Sequence, residues 1–414
     1  MPTVVLLVPT STYRAPDFVA AARALGIDLV VASEQAPAVT DPTATRAIAI
    51  PLDDADAAAA AIVALDDRRG VDAIVALDDR GVVAAARAAE RLGLAHNPPE
   101  AVARTRDKEA MRRALAEAEI PQPSFAAIDI PEEAGRAAER LGFPVVVKPV
   151  GLSGSQGVIR ADDAAGATAA AHRASAIAGG GRILVEALVR GREVAVEGLL
   201  RGSDLEVLAV FDKPDAGDGP FFEETIYVTP SSLAPDTLAS VTKVTSDAAA
   251  ALGLTEGPIH AELRVDGERV HVLEIAARSI GGLCARALRF GAGISLEAVI
   301  LRHALGMSLV GMVREEAASG VMMLPIVQGG TLAEVRGQDR ARACAGIVGL
   351  EITIPPGRAV VPLPEGDRYL GFLFARADTP AAVEHALRTA HEHLEVVLDP
   401  ATEPSPAGVT TERP

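Results

Sequence analysis

Val145-Val-Val-Lys-Pro-Val-Gly-Leu-Ser-Gly-Ser-Gln-Gly157 is the stretch on which the reading of this chain turns. Its first half is an apolar, β-branched run that ends in Lys148 and Pro149, the pattern of a buried strand carrying one cation to its end. The second half is a glycine loop. Gly151, Gly154 and Gly157 let a backbone approach a ligand without a Cβ in the way, and Ser153 and Ser155 add hydroxyl donors. A flap over phosphates fits these residues. A hairpin with a flexible tip fits them too, because short glycine patterns recur by chance. The rest of the chain has to decide.

Composition narrows the field first. A chain of 414 residues that is 49% hydrophobic can bury a large core, and its length suggests about two to four domains or subdomains. No charge-free apolar window is long enough for a membrane span, so no membrane partner is expected. Met1-Pro-Thr-Val-Val-Leu-Leu-Val8 reads as a first strand rather than a signal peptide, which makes the cytoplasm the expected compartment. Cys284 and Cys344 are too few for a disulfide framework or a metal cluster and read as core fillers. The formal charge of −17 argues against nucleic acid as a partner, since phosphate-backbone binding needs a concentrated basic surface. The chain's basic residues are mostly arginine. Lys108, Lys148, Lys213 and Lys243 are its lysines, and a compact ammonium suits phosphate oxygens where a planar guanidinium does not fit.

In chain order, strand 4–8, a helix at 16–25 closed by Gly26 and strand 27–32 form a βαβ unit. Helix 54–65, strand 73–77 and helix 81–92 continue the alternation, so the first hundred residues read as an open parallel sheet. Its glycines make no G-x-G-x-x-G turn, which disfavours a dinucleotide there. Asp78 and Asp79 end a strand where ligands often sit, though acidic residues at such ends are commonly caps. Asn97-Pro98-Pro99 marks a boundary. A charged helix is expected at 104–118 with Lys108 on it, then a short one near 131–141, the opening strand and loop, and a helix at 162–177. Strand 182–187 bends through Leu188-Val-Arg-Gly-Arg192 into strand 194–200, placing Glu186 and Glu193 at one hinge. Such a hinge offers backbone groups to an adenine edge and carboxylates to ribose hydroxyls; two solvent-facing glutamates fit equally. Residues 203–232, with Lys213, are too irregular to assign.

A helix at 235–252 leads to a hairpin, because Asp266-Gly267 separates two alternating runs. Period-two alternation puts His260, Glu262 and Arg264 on one face, and Val272, Glu274 and Ala276 on one face of the partner strand. Two carboxylates on the same side of paired strands repel unless a cation lies between them, so Glu262 and Glu274 read as a Mg²⁺ site; a solvent-facing hairpin with scattered charges is the plain alternative. Arg278, just beyond, can clamp an anion, and Ser279-Ile-Gly281-Gly282 is either a close-approach loop or a simple turn. Helix 283–306, short strands, a helix at 380–393 and strand 394–398 complete the pattern, followed by a Pro- and Thr-rich tail expected to be disordered.

Taken together, the Lys-Pro strand with its glycine loop, E-x-x-x-x-G-x-E at 186–193 and the H-x-E to E-x-x-x-R hairpin resemble, in order, the ATP-grasp carboxylate-amine ligases. Within them the chain looks most like the L-amino acid ligases that join amino acids into dipeptides. The resemblance spans roughly residues 1–400. It implies an α/β chain, α+β in its catalytic part, with an ATP-grasp fold behind an N-terminal open parallel-sheet domain at 1–97. A helical linker is expected at 98–120, a glycine-loop ATP subdomain at 121–198, a metal and substrate subdomain at 199–310, a mixed α/β extension at 311–400 and the tail at 401–414. By the same resemblance Lys108 and Lys148 contact ATP phosphates, and Gly151, Ser153, Gly154, Ser155 and Gly157 close over them. Glu186 and the backbone of Leu188 face adenine, and Glu193 faces ribose. Glu262 and Glu274 bind Mg²⁺, with Mn²⁺ the alternative ion. Arg278 holds the transferred phosphate, with Gly281 and Gly282 beside the substrate and Glu224 meeting the amine. Partners are then a small carboxylate and an amine, with a homodimer as the default assembly. One departure is Ala276, where many of these enzymes have a metal-binding Asn. A thiol-acceptor, purine-pathway or carboxylase member of the same fold, or a non-catalytic nucleotide-binding protein, would share most of these features.

Overall fold

The computed structural model describes residues 1–10, 12–35, 45–215, 217 and 219–399. The expected disordered tail, and Asp218 within the 217–225 loop, lie outside the described residues.

The N-terminal unit is the expected parallel sheet, in the order Thr45–Ala49, Asp28–Ser33, Thr3–Leu7, Ala73–Ala76. Every residue of Thr3–Leu7 is buried because helices cover both faces, which is why this strand is continuously apolar rather than alternating. Asp54 starts the helix Ala55–Arg69 by accepting from the Asp56 and Ala57 amides, and left-handed Gly26 and Gly93 end the helices Ala15–Leu25 and Val82–Leu92.

The charged helix expected at 104–118 is two helices, Pro99–Arg106 and Lys108–Glu117, split at Asp107. Asp107 is extended and its side chain accepts from the Ala110 amide, so a local cap overrides the run of helix formers. This break puts Lys108 at the first position of a helix, where a cation meets the wrong end of the dipole. Its backbone amide donates to the carbonyl of Val150 at the foot of the glycine loop.

The glycine-loop unit is a four-stranded antiparallel sheet in the order Phe125–Ile128, Ile183–Ala187, Val145–Pro149, Ile159–Ala161. Beyond it an eight-stranded antiparallel sheet runs Arg269–Ala276, Glu256–Asp266, Arg192–Arg201, Asp204–Lys213, Ile226–Thr229, Ala318–Leu324, Gly371–Ala377, Ile347–Ile352. One expected boundary does not hold against this sheet: position 198/199 lies inside the strand Arg192–Arg201. Past 311, three strands join the same sheet, and Gly330–Arg336, Ala359–Val360 and Glu395–Asp399 form a small sheet of their own. The stretch 203–232 left unassigned supplies two strands. The helix expected over 283–306 is a short 3₁₀ turn, Cys284–Ala287, and a helix, Leu296–Ala304, begun by Ser295.

The hairpin carries a correction with consequences. Glu262 pairs with Glu274 and Leu263 with Val272, so Leu273 is a bulged extra residue. Strict alternation would place Val272 beside Glu274. The bulge instead sends Val272 and Ile275 into the core and turns Leu273, Glu274 and Ala276 to the cavity. Arg112, completely buried in the helix Lys108–Glu117, satisfies this irregular backbone by donating to the carbonyls of Val272 and Leu273 at 3.3 and 2.5 Å. The same guanidinium donates to Glu186 at 2.5 Å. Replacing Arg112 by Met strands a buried carboxylate and two bulge carbonyls, so Arg112→Met is expected to cost about 3–5 kcal/mol of stability, measured by urea unfolding.

Candidate functional site

The three units meet around a cavity of about 530 Å³. The parallel sheet presents the C-terminal end of Ala73–Ala76, the four-stranded sheet its Lys-Pro end and loop, and the large sheet its bulged hairpin. Every residue given a site role above lines this cavity except Gly157. Gly157 backs the loop instead. Its φ is 68° and a Cβ there would come 2.8 Å from Pro149 Cγ, so only glycine fits the return of the loop to its strand.

At one end lies a charge cluster. Lys148 Nζ and Arg112 grip the two oxygens of Glu186 at 2.7 and 2.5 Å. Glu186 is 3% exposed, so it is a buried ionic anchor and not a solvent-facing residue. Burial alone would raise its pKa, but Arg112 and Lys148 outweigh burial and hold it down to about 2. Burial lowers the Lys148 pKa despite Glu186, with Arg112 and Lys108 adding like-charge repulsion. Leu188 and Val189 lie beyond, and Glu193 closes the hinge, bound by Lys213 and, at 2.9 Å, by Arg264. Against the cost of burial, these two cations keep Glu193 ionised.

The centre holds the facing carboxylates. Glu274 meets Lys108 Nζ at 3.3 Å, and Glu262 meets His260 at 3.5 Å and Lys213 at 3.8 Å. Burial opposes ionisation at both, yet Lys213 and His260 bring Glu262 down to about 2, and Lys108 and Lys148 lower Glu274. His260 is pinned on its other side by Glu197 at 2.5 Å. Burial would lower its pKa; Glu197 and Glu262 raise it to about 9, so it is a cation at neutral pH. Among the described residues no cluster of three or more His, Cys, Asp or Glu side chains could hold a metal, and Ala276 faces the cavity without a donor. Two cross-strand carboxylates nevertheless fit Mg²⁺, a hard ion that takes one or two protein oxygens and completes its shell with water and phosphate.

The far end carries residues that spacing did not reveal. Arg278 donates to Asp79 at 2.9 Å, and Asp79 also meets Arg106 at 3.3 Å. Asp79, weighed above as a cap, is thus the buried carboxylate that holds Arg278 in place across two domains; burial favours its neutral form, and Arg278 and Arg106 overrule burial. Arg14 is buried beside it, donating to the Leu77 carbonyl at 2.7 Å and to Ser279 at 2.8 Å. Gly281, Gly282 and Cys284 form a wall. Glu224 accepts from Lys213 at 3.2 Å and from the Tyr369 hydroxyl at 3.2 Å. Burial, with repulsion from Glu262, raises the Glu224 pKa against the pull of Lys213. Tyr13, Tyr227 and Tyr369, the chain's three tyrosines, all line the cavity. Of the four lysines only Lys243 lies outside it, exposed and paired with Asp247 on its own helix. The scarcity of lysine was therefore a usable signal for Lys213; nothing local marks Arg14 or Tyr369.

Comparison with known proteins agrees with this layout. Residues 19–96 match the ATP-grasp N-terminal domain, 141–287 the ATP-grasp domain and 322–399 the L-amino acid ligase C-terminal domain 2. An L-amino acid ligase from Bacillus licheniformis superposes with a TM-score of 0.81 at 24% identity, covering 97% of this chain and 99% of that one. A carboxyaminoimidazole ribonucleotide synthase from Aspergillus clavatus, solved with ATP, gives 0.74 at 13% identity over 94% and 97% of the two chains. In sequence, the uncharacterized protein y4rH of Sinorhizobium fredii is 24% identical over 305 residues, which is 73% of this chain and 63% of that protein's length. The chain has the ATP-grasp fold and carries an ATP-grasp domain followed by an L-amino acid ligase C-terminal domain.

The Glu186 anchor sets an acid limit. Its folded pKa lies below the ordinary carboxylate value, so its contribution is complete above about pH 4.5 and is lost as pH falls toward about 2. That contribution is about 3 kcal/mol. Urea midpoints measured from pH 6 to pH 2 should fall less steeply in Glu186→Gln than in the wild type.

Proposed function

We propose that this chain is an ATP-dependent ligase that activates a small carboxylate, an amino acid, as an acyl phosphate and couples it to the amine of a second amino acid, releasing ADP and phosphate. The observation that carries this reading is the single cavity in which two lysines, two facing carboxylates and Asp79-anchored Arg278 converge beneath a glycine loop.

A bare carboxylate is a poor acyl donor because its leaving group would be oxide. Attack of its oxygen on the γ-phosphorus of ATP, with ADP departing, replaces oxide by phosphate. Lys108 and Lys148 stand where they neutralise charge on the phosphate oxygens during this transfer. Leu188 and Val189 offer backbone groups to the base, and Glu193 an acceptor to ribose hydroxyls. Glu262 and Glu274 would hold Mg²⁺, which when bound screens the phosphate charge.

The amine nitrogen then attacks the acyl carbon, the bond to the phosphate oxygen breaks and inorganic phosphate leaves. Arg278 neutralises the oxyanion that develops, and its rigid link to Asp79 keeps it there without reorganisation. Glu224 takes the proton that the amine gives up, since burial makes its carboxylate a better acceptor than a free one. The glycine loop excludes water, which would otherwise take the amine's place. No serine or cysteine nucleophile is needed.

Purified protein with ATP, Mg²⁺ and pairs of proteinogenic amino acids should release ADP and phosphate and yield a dipeptide mass for a subset of pairs. Glu274→Ala and Lys148→Ala should each lower carboxylate-dependent ADP release by about 100-fold or more. An undiminished rate in either variant, or a thioester or carboxylated product in place of an amide, would overturn the assignment.

A further inference from the structure

The glycine loop is not free on its outer side. Gly157 N donates to the Pro364 carbonyl at 2.9 Å, and Gln156 Nε2 donates to the Glu365 carbonyl at 3.1 Å. Behind the loop, on the helix Ala164–Ala178, Arg173 donates to both carboxylate oxygens of Glu365 at 2.7 and 2.9 Å. The Arg173 guanidinium also lies 5.1 Å from the ring of Phe221, which bridges to Ile159 just past the loop. These contacts come from a short C-terminal segment whose other end enters the cavity. Asp367, Arg368 and Tyr369 line it, and Tyr369 donates to Glu224. Between the two ends the chain turns tightly. Gly366 N donates to the Pro362 carbonyl at 2.9 Å, and a Cβ on Gly366 would fall 2.1 Å from the Val361 oxygen. Such a turn transmits position instead of absorbing it.

We propose that Pro362–Tyr369 is a strap that fastens the glycine loop over the cavity while its far end positions Glu224, with Glu365 as the positioning residue. The loop and the acceptor carboxylate are then held by one rigid piece of backbone supplied by the C-terminal domain. This rests on the ligase reading for its chemical consequence. With the strap loosened, water attacks the acyl carbon, the bond from that carbon to the phosphate oxygen breaks, and carboxylate and phosphate form without an amide. ADP release then exceeds amide formation.

Two measurements test it. Hydrogen exchange of the 151–158 amides is followed in the ligand-free protein and with ADP and Mg²⁺, for wild type, Glu365→Gln, Arg173→Gln and the double exchange of Arg173→Glu with Glu365→Arg. Each single variant should exchange about two- to fivefold faster there, the scale of one well-made exposed ion pair, and the double variant should recover with its melting temperature unchanged. Equal exchange in all four proteins overturns the strap. In the second arm, an equimolar mixture of the twenty proteinogenic amino acids with ATP and Mg²⁺ is scored for the ratio of ADP to dipeptide. The ratio should rise in both single variants and fall back in the double. An unchanged ratio overturns the protective role. A wild type that forms no dipeptide at all refutes the ligase reading, and the exchange arm still decides on the strap.

Discussion

Two carboxylates facing each other across paired strands are the constraint around which this cavity is built. Glu262 and Glu274 are cross-strand partners, and both are largely withdrawn from water, so each needs a cation close by. It has them: Lys108 on Glu274, and His260 and Lys213 on Glu262. Each cation reaches the pair from a different element. The helix cap at Asp107 delivers Lys108, the strand Asp204–Lys213 delivers Lys213, and His260 comes from the same strand as Glu262 with Glu197 behind it. In the ligase reading proposed above, Lys108 would also meet phosphate, so charge balance within the protein and recognition of a polyanion would share that side chain.

That geometry exists only because of an irregular backbone. The bulge at Leu273 changes which residues of the second strand face the cavity, and its carbonyls would be left short of donors without Arg112. Arg112 in turn balances Glu186, which balances Lys148. The ammonium at the end of the opening strand is thus tied through a carboxylate and a guanidinium to the backbone that orients Glu274. A buried pair of this kind is costly to break from one side.

The Arg278 end of the cavity is a product of domain convergence. Arg278 follows the hairpin strand of the large sheet but is held by Asp79, just past a strand of the N-terminal sheet, and Tyr369 reaches Glu224 from the C-terminal domain. Because these groups come from three parts of the chain, changes in their relative position alter this end while leaving the Lys148–Glu186 cluster intact.

Much of the fold, and the lining of the cavity around Lys148, was legible beforehand. The parallel sheet followed from βαβ alternation and glycine caps, and the loop, the hinge and the hairpin followed from residue types at short fixed spacing, since each is a contact within one local motif. Domain limits were less legible, because the strands Ala318–Leu324 and Gly371–Ala377 join a sheet begun more than a hundred residues earlier and nothing in their own pattern names their neighbours. By itself the sequence determined the elements and the residue types they carry to their ends: Lys148 after a buried strand, a glycine-rich loop, and carboxylates on paired strands. Tertiary structure alone decided that Glu186 is a buried anchor, that a bulge turns Val272 into the core and Leu273 to the cavity, that Asp79 and Arg14 line the site, and that Gln156 and Arg173 meet Glu365. Each of these depends on a partner distant in sequence. Short-range periodicity reports which way a side chain leaves its own element and carries no information about what waits there.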